Sequence, residues 1–136
     1  MGLRIPRAIL EAMAAQAAAA APLEACGILA GRGDRVEAFH PTTNADQSAE
    51  HFSMAPKEQF AVAKAIRAAG QQVLAIYHSH PHSPARPSAE DIRLAVTPGV
   101  VYVILSLRRK ERPEVKGFLI EEAVVTETAV EALAEE

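Results

Sequence analysis

His78 and His80 stand two residues apart at the end of the apolar run Val73-Leu-Ala-Ile-Tyr77, and their type and spacing suit a metal ion. In a strand, side chains alternate between faces, so residues two apart share one face with Cα atoms roughly 6.5 Å apart, twice a rise of ~3.3 Å. Two imidazoles can then converge on a single ion. Zinc takes four ligands, and a catalytic zinc site draws three from the protein and leaves one position for water. Asp91, eleven positions after His80, offers a carboxylate at the start of the next element. Pro81, Pro84 and Pro87 lie between them, and their fixed φ angles lower the entropy lost when that loop orders.

Each of these residues also has an ordinary explanation. Ser88-Ala-Glu-Asp91 has the form of a capping box, serine at the N-cap with an acid three residues on, which accounts for both without any metal. A His-x-His pair in a loop is a common surface feature. His82 could replace one of the two as a ligand, although Pro81 breaks the strand between it and His80. The metal reading rests on the conjunction of a His pair at a strand end, a stiff loop, and Ser-x-x-Asp at a helix start.

His78-Ser-His80-Pro81, ten residues between His80 and Asp91, Ser88 three before Asp91, and a distant Glu24 within Pro22-Leu-Glu-Ala-Cys-Gly-Ile-Leu-Ala-Gly31 together resemble the JAMM (MPN-plus, Mov34) zinc metallopeptidases. The resemblance extends to Asn44 and Phe52-Ser-Met54 and runs to about Leu107. It is greatest to the stand-alone bacterial type, similar to peptidases that cleave sulfur-carrier proteins. This resemblance implies an α/β (α+β) fold, a mixed, cytidine-deaminase-like β-sheet flanked by helices, as a single domain over residues 1–136. It further implies Zn²⁺ on His78, His80 and Asp91, Glu24 as the acid/base and Ser88 as the oxyanion donor. The implied reaction is hydrolysis of the peptide or isopeptide bond after the C-terminal Gly-Gly of a ubiquitin-like or sulfur-carrier protein. No long insertion flanks the His pair, so a grip on polyubiquitin is not implied.

The competing readings fare less well. A catalytically inactive MPN-type binding module would lack one or more ligands, and here all are present. A zinc deaminase with His-x-His would need a Pro-Cys-x-x-Cys pair, which one cysteine cannot supply. No His-Glu-x-x-His string occurs either.

Composition narrows the setting. With 136 residues the chain can bury a core as one domain. A net charge of -3 argues against a nucleic-acid surface, and no run approaches the ~18 apolar residues of a membrane span. The lone Cys26, beside Gly27 in an apolar run, reads as a small buried hydrophobe in a reducing cytoplasm. Arg4 and Arg7 before an alanine-rich stretch could suggest a signal peptide, but Glu11 interrupts it.

The elements that must position these residues follow from periodicity. Leu3 to Ala21 reads as a helix with Pro6 in its first turn and a stripe of Ile5, Ile9, Met13 and Ala17. Cys26 to Ala30 and Arg35 to His40 read as a hairpin about Gly31-Arg-Gly-Asp34, with Glu24 exposed just before it. Pro41 to Glu50 is a polar loop, and Phe52 to Met54 a small strand. Lys57 to Ala69 is expected as a helix packed through Val62, Ala65, Ile66 and Ala69, with Phe60, Lys64 and Arg67 on different faces and Gly70 at C′. Val73 to His80 is expected as a strand buried on both faces, Ser88 to Ala95 as a helix, and Gly99 to Leu107 as the central strand. Arg108, Arg109, Lys110 and Arg112 form a basic turn, solvated or facing an acidic partner. Glu114 to Ile120 and Val124 to Thr128 alternate as strands, and Glu131 to Glu136 is expected to fray.

Overall fold

A computed structural model describes residues 2–134. The order of elements is β1 (Leu3–Pro6), α1 (Arg7–Ala20), β2 (Cys26–Arg32), β3 (Arg35–Thr42), α2 (Pro56–Ala68), β4 (Gln72–His80), α3 (Ala89–Leu94), β5 (Val101–Ser106), β6 (Glu114–Glu121), β7 (Val124–Thr128) and β8 (Val130–Leu133). All eight strands join one mixed sheet in the order β7-β6-β5-β4-β2-β3-β1-β8. The strands at its two ends, β7 and β8, are separated in sequence by Ala129 alone. A sheet whose opposite edges are consecutive in the chain must curl until they adjoin, and Leu3 N–H donating to Ala129 C=O at 2.9 Å ties the seam.

The core follows from the pleat. On β4, Ala75 and Tyr77 point to the α1 side, where they pack with Met13, Ala17, Leu29, Val103 and Leu105. The Tyr77 hydroxyl is satisfied by donating to the Met13 carbonyl at 3.1 Å. Ile76 points the other way, toward a second cluster with Tyr102, Ile104 and Phe118. His78 and His80 follow Ile76 on that face, as a period of two requires. The bulge between Ala30 and Gly31 in β2 needs glycine, because a Cβ at residue 31 would overlap the Arg35 carbonyl.

Several expectations are corrected. Leu3 to Pro6 is a strand, and the first helix begins only at Arg7. Leu3 and Ile5 alternate with Arg4, and parallel pairing with β8 buries both; a strand period overlaps the start of the helical stripe. Met13 and Ala17 are buried as expected. The hairpin turns at Gly33 and Asp34, with strands longer than expected. Phe52 to Met54 makes no strand, only an isolated bridge between Asn44 and Met54. Gly70 does close α2 with φ +71, but Ala65 and Ala69 are exposed, leaving Ile66 buried and Val62 half-buried. Phe60 and Lys64 share a face, the ammonium 6.0 Å from the ring centre, since residues four apart stack on a helix.

Further along, Val73 is 39% exposed, so β4 is enclosed only from Ala75 onward. The middle of the sheet is β4 and β2; β5 lies next to β4, covered on both faces. The stretch expected to fray contributes Val130–Leu133 as β8, paired in parallel with β1. Glu135 and Glu136 lie outside the described residues. No helix of the described residues is long and apolar enough to cross a membrane.

Candidate metal centre

Three donor atoms meet at the end of β4. His78 Nε2 and His80 Nε2 are 3.2 Å apart, and Asp91 Oδ2 lies 3.2 Å from the first and 3.0 Å from the second. Four tetrahedral donors at ~2.0 to 2.1 Å from an ion would stand about 3.3 Å from one another, so the spacing matches a shared cation. These side chains are 3%, 4% and 6% exposed. Electron-rich atoms packed so closely out of water repel unless protons or a cation lie between them. The donor set, two imidazoles and a carboxylate, suits a divalent ion such as zinc.

Each donor is aimed by its own support. His80 Nδ1–H donates to the Pro84 carbonyl at 2.8 Å, which leaves the Nε2 lone pair for an ion. Leu107 N–H in turn holds the His80 carbonyl at 3.0 Å. His78 Nδ1 is buried without a hydrogen-bond partner among the described residues. Its ring is set instead by Phe52, stacked on it at 4.8 Å between centres and 23° between planes.

Asp91 is aimed by the start of α3. Asp91 N–H donates to Ser88 Oγ at 3.0 Å, and Ser88 N–H donates to Asp91 Oδ2 at 2.9 Å. The capping box is therefore real, and the same Oδ2 faces both histidines. Ser88 Oγ accepts the cap bond with a lone pair, and its exposed hydroxyl keeps a proton to donate.

Glu24 is placed by sheet register. Cys26 pairs with His78 and Ser79 N–H donates to the Ala25 carbonyl at 2.9 Å; continuing the antiparallel ladder sets Glu24 opposite His80. A carboxylate oxygen of Glu24 and ring nitrogens of His78 and His80 all lie within 4.8 Å of one another. Contrary to expectation Glu24 is buried, 3% exposed. Residues 44–53 fold over it, with Glu24 N–H donating to the Ser48 carbonyl at 2.8 Å. Its Oε1 is buried with no partner.

The electrostatics differ sharply within this cluster. Burial pushes Glu24 up to about 8, against a smaller lowering by His80. Burial also works to raise Asp91, but hydrogen bonds to His78 and His80 prevail and hold it well below the usual carboxylate range. His78 is lowered, burial being the largest cause. Burial would lower His80 too, yet its bonds to Asp91 and the Pro84 carbonyl raise it on balance.

The other histidines stay out of the cluster. His82 is exposed, and His51 Nδ1 pairs with Asp46 at 2.9 Å. The Phe52 stack, the carbonyl of Pro84 and the burial of Glu24 had no local sequence signal. Beside Asp91 opens a largely apolar cleft of about 300 Å³ lined by Phe52, Met54, Ile76, Leu94, Val96 and Tyr102. Leu94 and Val96 stand exposed on its wall.

Comparison with known proteins agrees with this geometry. The profile of prokaryotic homologs of the JAB domain matches residues 6–129. A CysO-cysteine peptidase of Mycobacterium tuberculosis is 39% identical over 124 residues, spanning 90% of this chain and 85% of the relative. A desampylase of Haloferax volcanii is 42% identical over 88 residues, 62% of this chain and 63% of the relative. The solution structure of a Desulfitobacterium hafniense protein superposes with a TM-score of 0.90 at 45% identity, covering 98% of this chain and 94% of that one. A JAB1/MPN domain protein of Archaeoglobus fulgidus shares the fold, with a TM-score of 0.67 at 22% identity, covering 97% of this chain and 98% of that one. With the fold and these relatives in agreement, the chain belongs to the prokaryotic homologs of the JAB domain and is a hydrolase of the JAMM/MPN type.

Proposed function

We propose that this chain is a cytoplasmic, zinc-dependent protease that hydrolyses the peptide or isopeptide bond after the C-terminal Gly-Gly of a ubiquitin-like or sulfur-carrier protein. The observation that carries the reading is the convergence of His78 Nε2, His80 Nε2 and Asp91 Oδ2 within 3.2 Å, with the Glu24 carboxylate close by. The names of the CysO-cysteine peptidase and desampylase relatives support the substrate class. Cys26, buried and free, suits a reducing compartment.

His78, His80 and Asp91 would hold the ion. When bound, zinc supplies a water of pKa near ~7 and polarises the scissile carbonyl. Glu24 takes the proton that this water must lose and passes it to the departing amine. Burial raises Glu24 to about 8 in the metal-free protein, and a bound cation would draw it back toward neutrality, where one carboxyl can both accept and release a proton. The Ser88 hydroxyl, whose oxygen already accepts from Asp91 N–H, donates to the oxyanion of the tetrahedral intermediate. The cleft between Phe52 and Val96 offers an apolar wall for the residues before the scissile bond. Glycine at the bond itself lets the substrate backbone approach closely, having no Cβ to exclude.

The test is incubation with sulfur-carrier proteins extended past Gly-Gly, with products weighed by mass spectrometry, and elemental analysis of the purified enzyme. Cleavage after the second glycine, stoichiometric zinc, and loss of cleavage with zinc retained in Glu24→Gln are expected. Wild type without zinc, or an E24Q variant as active as wild type, would refute the reading.

A further inference from the structure

Glu24 has a position problem that its own side chain does not solve. Its carboxylate makes no hydrogen bond among the described residues, and Oε1 is buried and unpartnered. It also stands two residues before β2, just past the last ladder bond, from Ser79 N–H to the Ala25 carbonyl. Whatever fixes this carboxylate must act through the Glu24 backbone.

Asn44 does so. Its side chain is nearly enclosed, the residue being 7% exposed. Nδ2 donates to the Glu24 carbonyl at 3.1 Å and to the His51 carbonyl at 3.0 Å, with a longer contact of 3.3 Å to the Ser48 carbonyl. Oδ1 accepts from Asp46 N–H at 3.0 Å and from Ser53 N–H at 3.3 Å. Both N–H groups and both lone pairs of the amide are thus used. With the Ser48 carbonyl accepting from Glu24 N–H, one segment holds both the N–H and the C=O of Glu24, while Ser79 Oγ on β4 accepts from the following Ala25 N–H at 2.8 Å. That segment also carries Phe52, and Asn44 grips the residues immediately before and after it. One buried amide therefore joins the backbone of Glu24 to the ring stacked on His78.

We propose that Asn44 is a positioning residue for hydrolysis, setting Glu24 and the Phe52 wall relative to one another, provided that Glu24 carries the proton as proposed above. Asn44 touches neither substrate nor the reacting atoms. Its effect belongs chiefly on kcat, because a proton carrier displaced by a fraction of an ångström slows the chemical step, with a smaller effect on KM through the Phe52 wall of the cleft.

The experiment uses the Gly-Gly-extended carrier that wild type cleaves, and reads kcat, KM, zinc content and melting temperature. Asn44→Ala removes all five bonds; Asn44→Asp keeps the size and the two accepted bonds but cannot donate to Glu24. Both are expected to lose about 10- to 100-fold in kcat, the usual cost of removing an outer-shell partner, with KM moving less than kcat and zinc stoichiometry nearly unchanged. Ser48→Ala is the contrast, since Ser48 Oγ accepts from Glu50 and His51 N–H at 3.0 and 3.3 Å without touching Glu24 through that group. It should retain most of its kcat. Unchanged kcat with a lowered melting temperature, loss of zinc from the Asn44 variants, an equal loss in Ser48→Ala, or failure of both Asn44 variants to fold would each overturn the role. A wild type that cleaves no carrier would defeat the activity itself, and the role of Asn44 with it.

Discussion

Asp91 and Glu24 are two enclosed carboxylates that face the same pair of histidines and are driven in opposite directions. Around Asp91 the chain gathers donors: Ser88 N–H and the two imidazoles. Around Glu24 it gathers none for the carboxylate, only carbonyls and N–H groups that hold the backbone. Burial alone raises a carboxyl pKa, and enough hydrogen bonds to the charged form reverse the effect. So Asp91 is a permanent anion, fit to hold a cation, while Glu24, raised to about 8, is fit to exchange a proton near neutrality. Identical chemistry in the side chain becomes two jobs through surroundings.

The most severe test of that contrast removes the shared partner. His80→Ala should lose both bound zinc and cleavage, read by elemental analysis beside wild type; equal metal in the two proteins would remove the site. Next, Glu24→Gln should keep zinc and lose about 10²- to 10⁴-fold in kcat, the usual range for a general acid/base. If the two carboxylates were equivalent, this variant would shed metal instead. A Ser88→Ala variant probes the Asp91 corner twice over. It should cost about 10²- to 10³-fold in kcat from the missing oxyanion donor, and about 1 kcal/mol of stability from the missing cap, read by steady-state kinetics and denaturant titration.

A last test is one of pH on the metal-free protein. Folded Glu24 holds its proton up to about 8, whereas the unfolded chain releases it near the ordinary carboxylate value of 4.5. Between those values the folded state binds more protons, so this group makes stability fall as pH rises through the window. Melting temperatures in chelator should decline over that range because of Glu24. Glu24→Gln should flatten the decline, and an unchanged slope would show that Glu24 is not the buried acid described.

How far the sequence spoke depended on range. His78, His80, Ser88 and Asp91 were readable because strand period and helix capping are local rules, acting within about a dozen residues. The serine and aspartate form the cap, and the same aspartate stands 3.0 to 3.2 Å from the two histidines, so the capping geometry leaves the metal reading open. Glu24 looked exposed because its cover, residues 44–53, has no hydrophobic period; Asn44 folds that segment through polar bonds to backbone. Leu3 to Pro6 was misassigned because its partner β8 lies at the far end of the chain. The misjudged face of α2 has a similar source. Alanines at residues 65 and 69 extend a stripe on paper but bring little apolar surface to bury.

Leu3 beside Val130 and Pro6 beside Leu133 make a clasp between the two extremities of the polypeptide. Closing so long a span costs loop entropy, and β8 itself buries little, so this edge opens more readily than the centre of the sheet. Amide exchange in β1 and β8 should therefore outpace that in β2 and β4, letting this edge breathe while the walls around the two histidines stay shut.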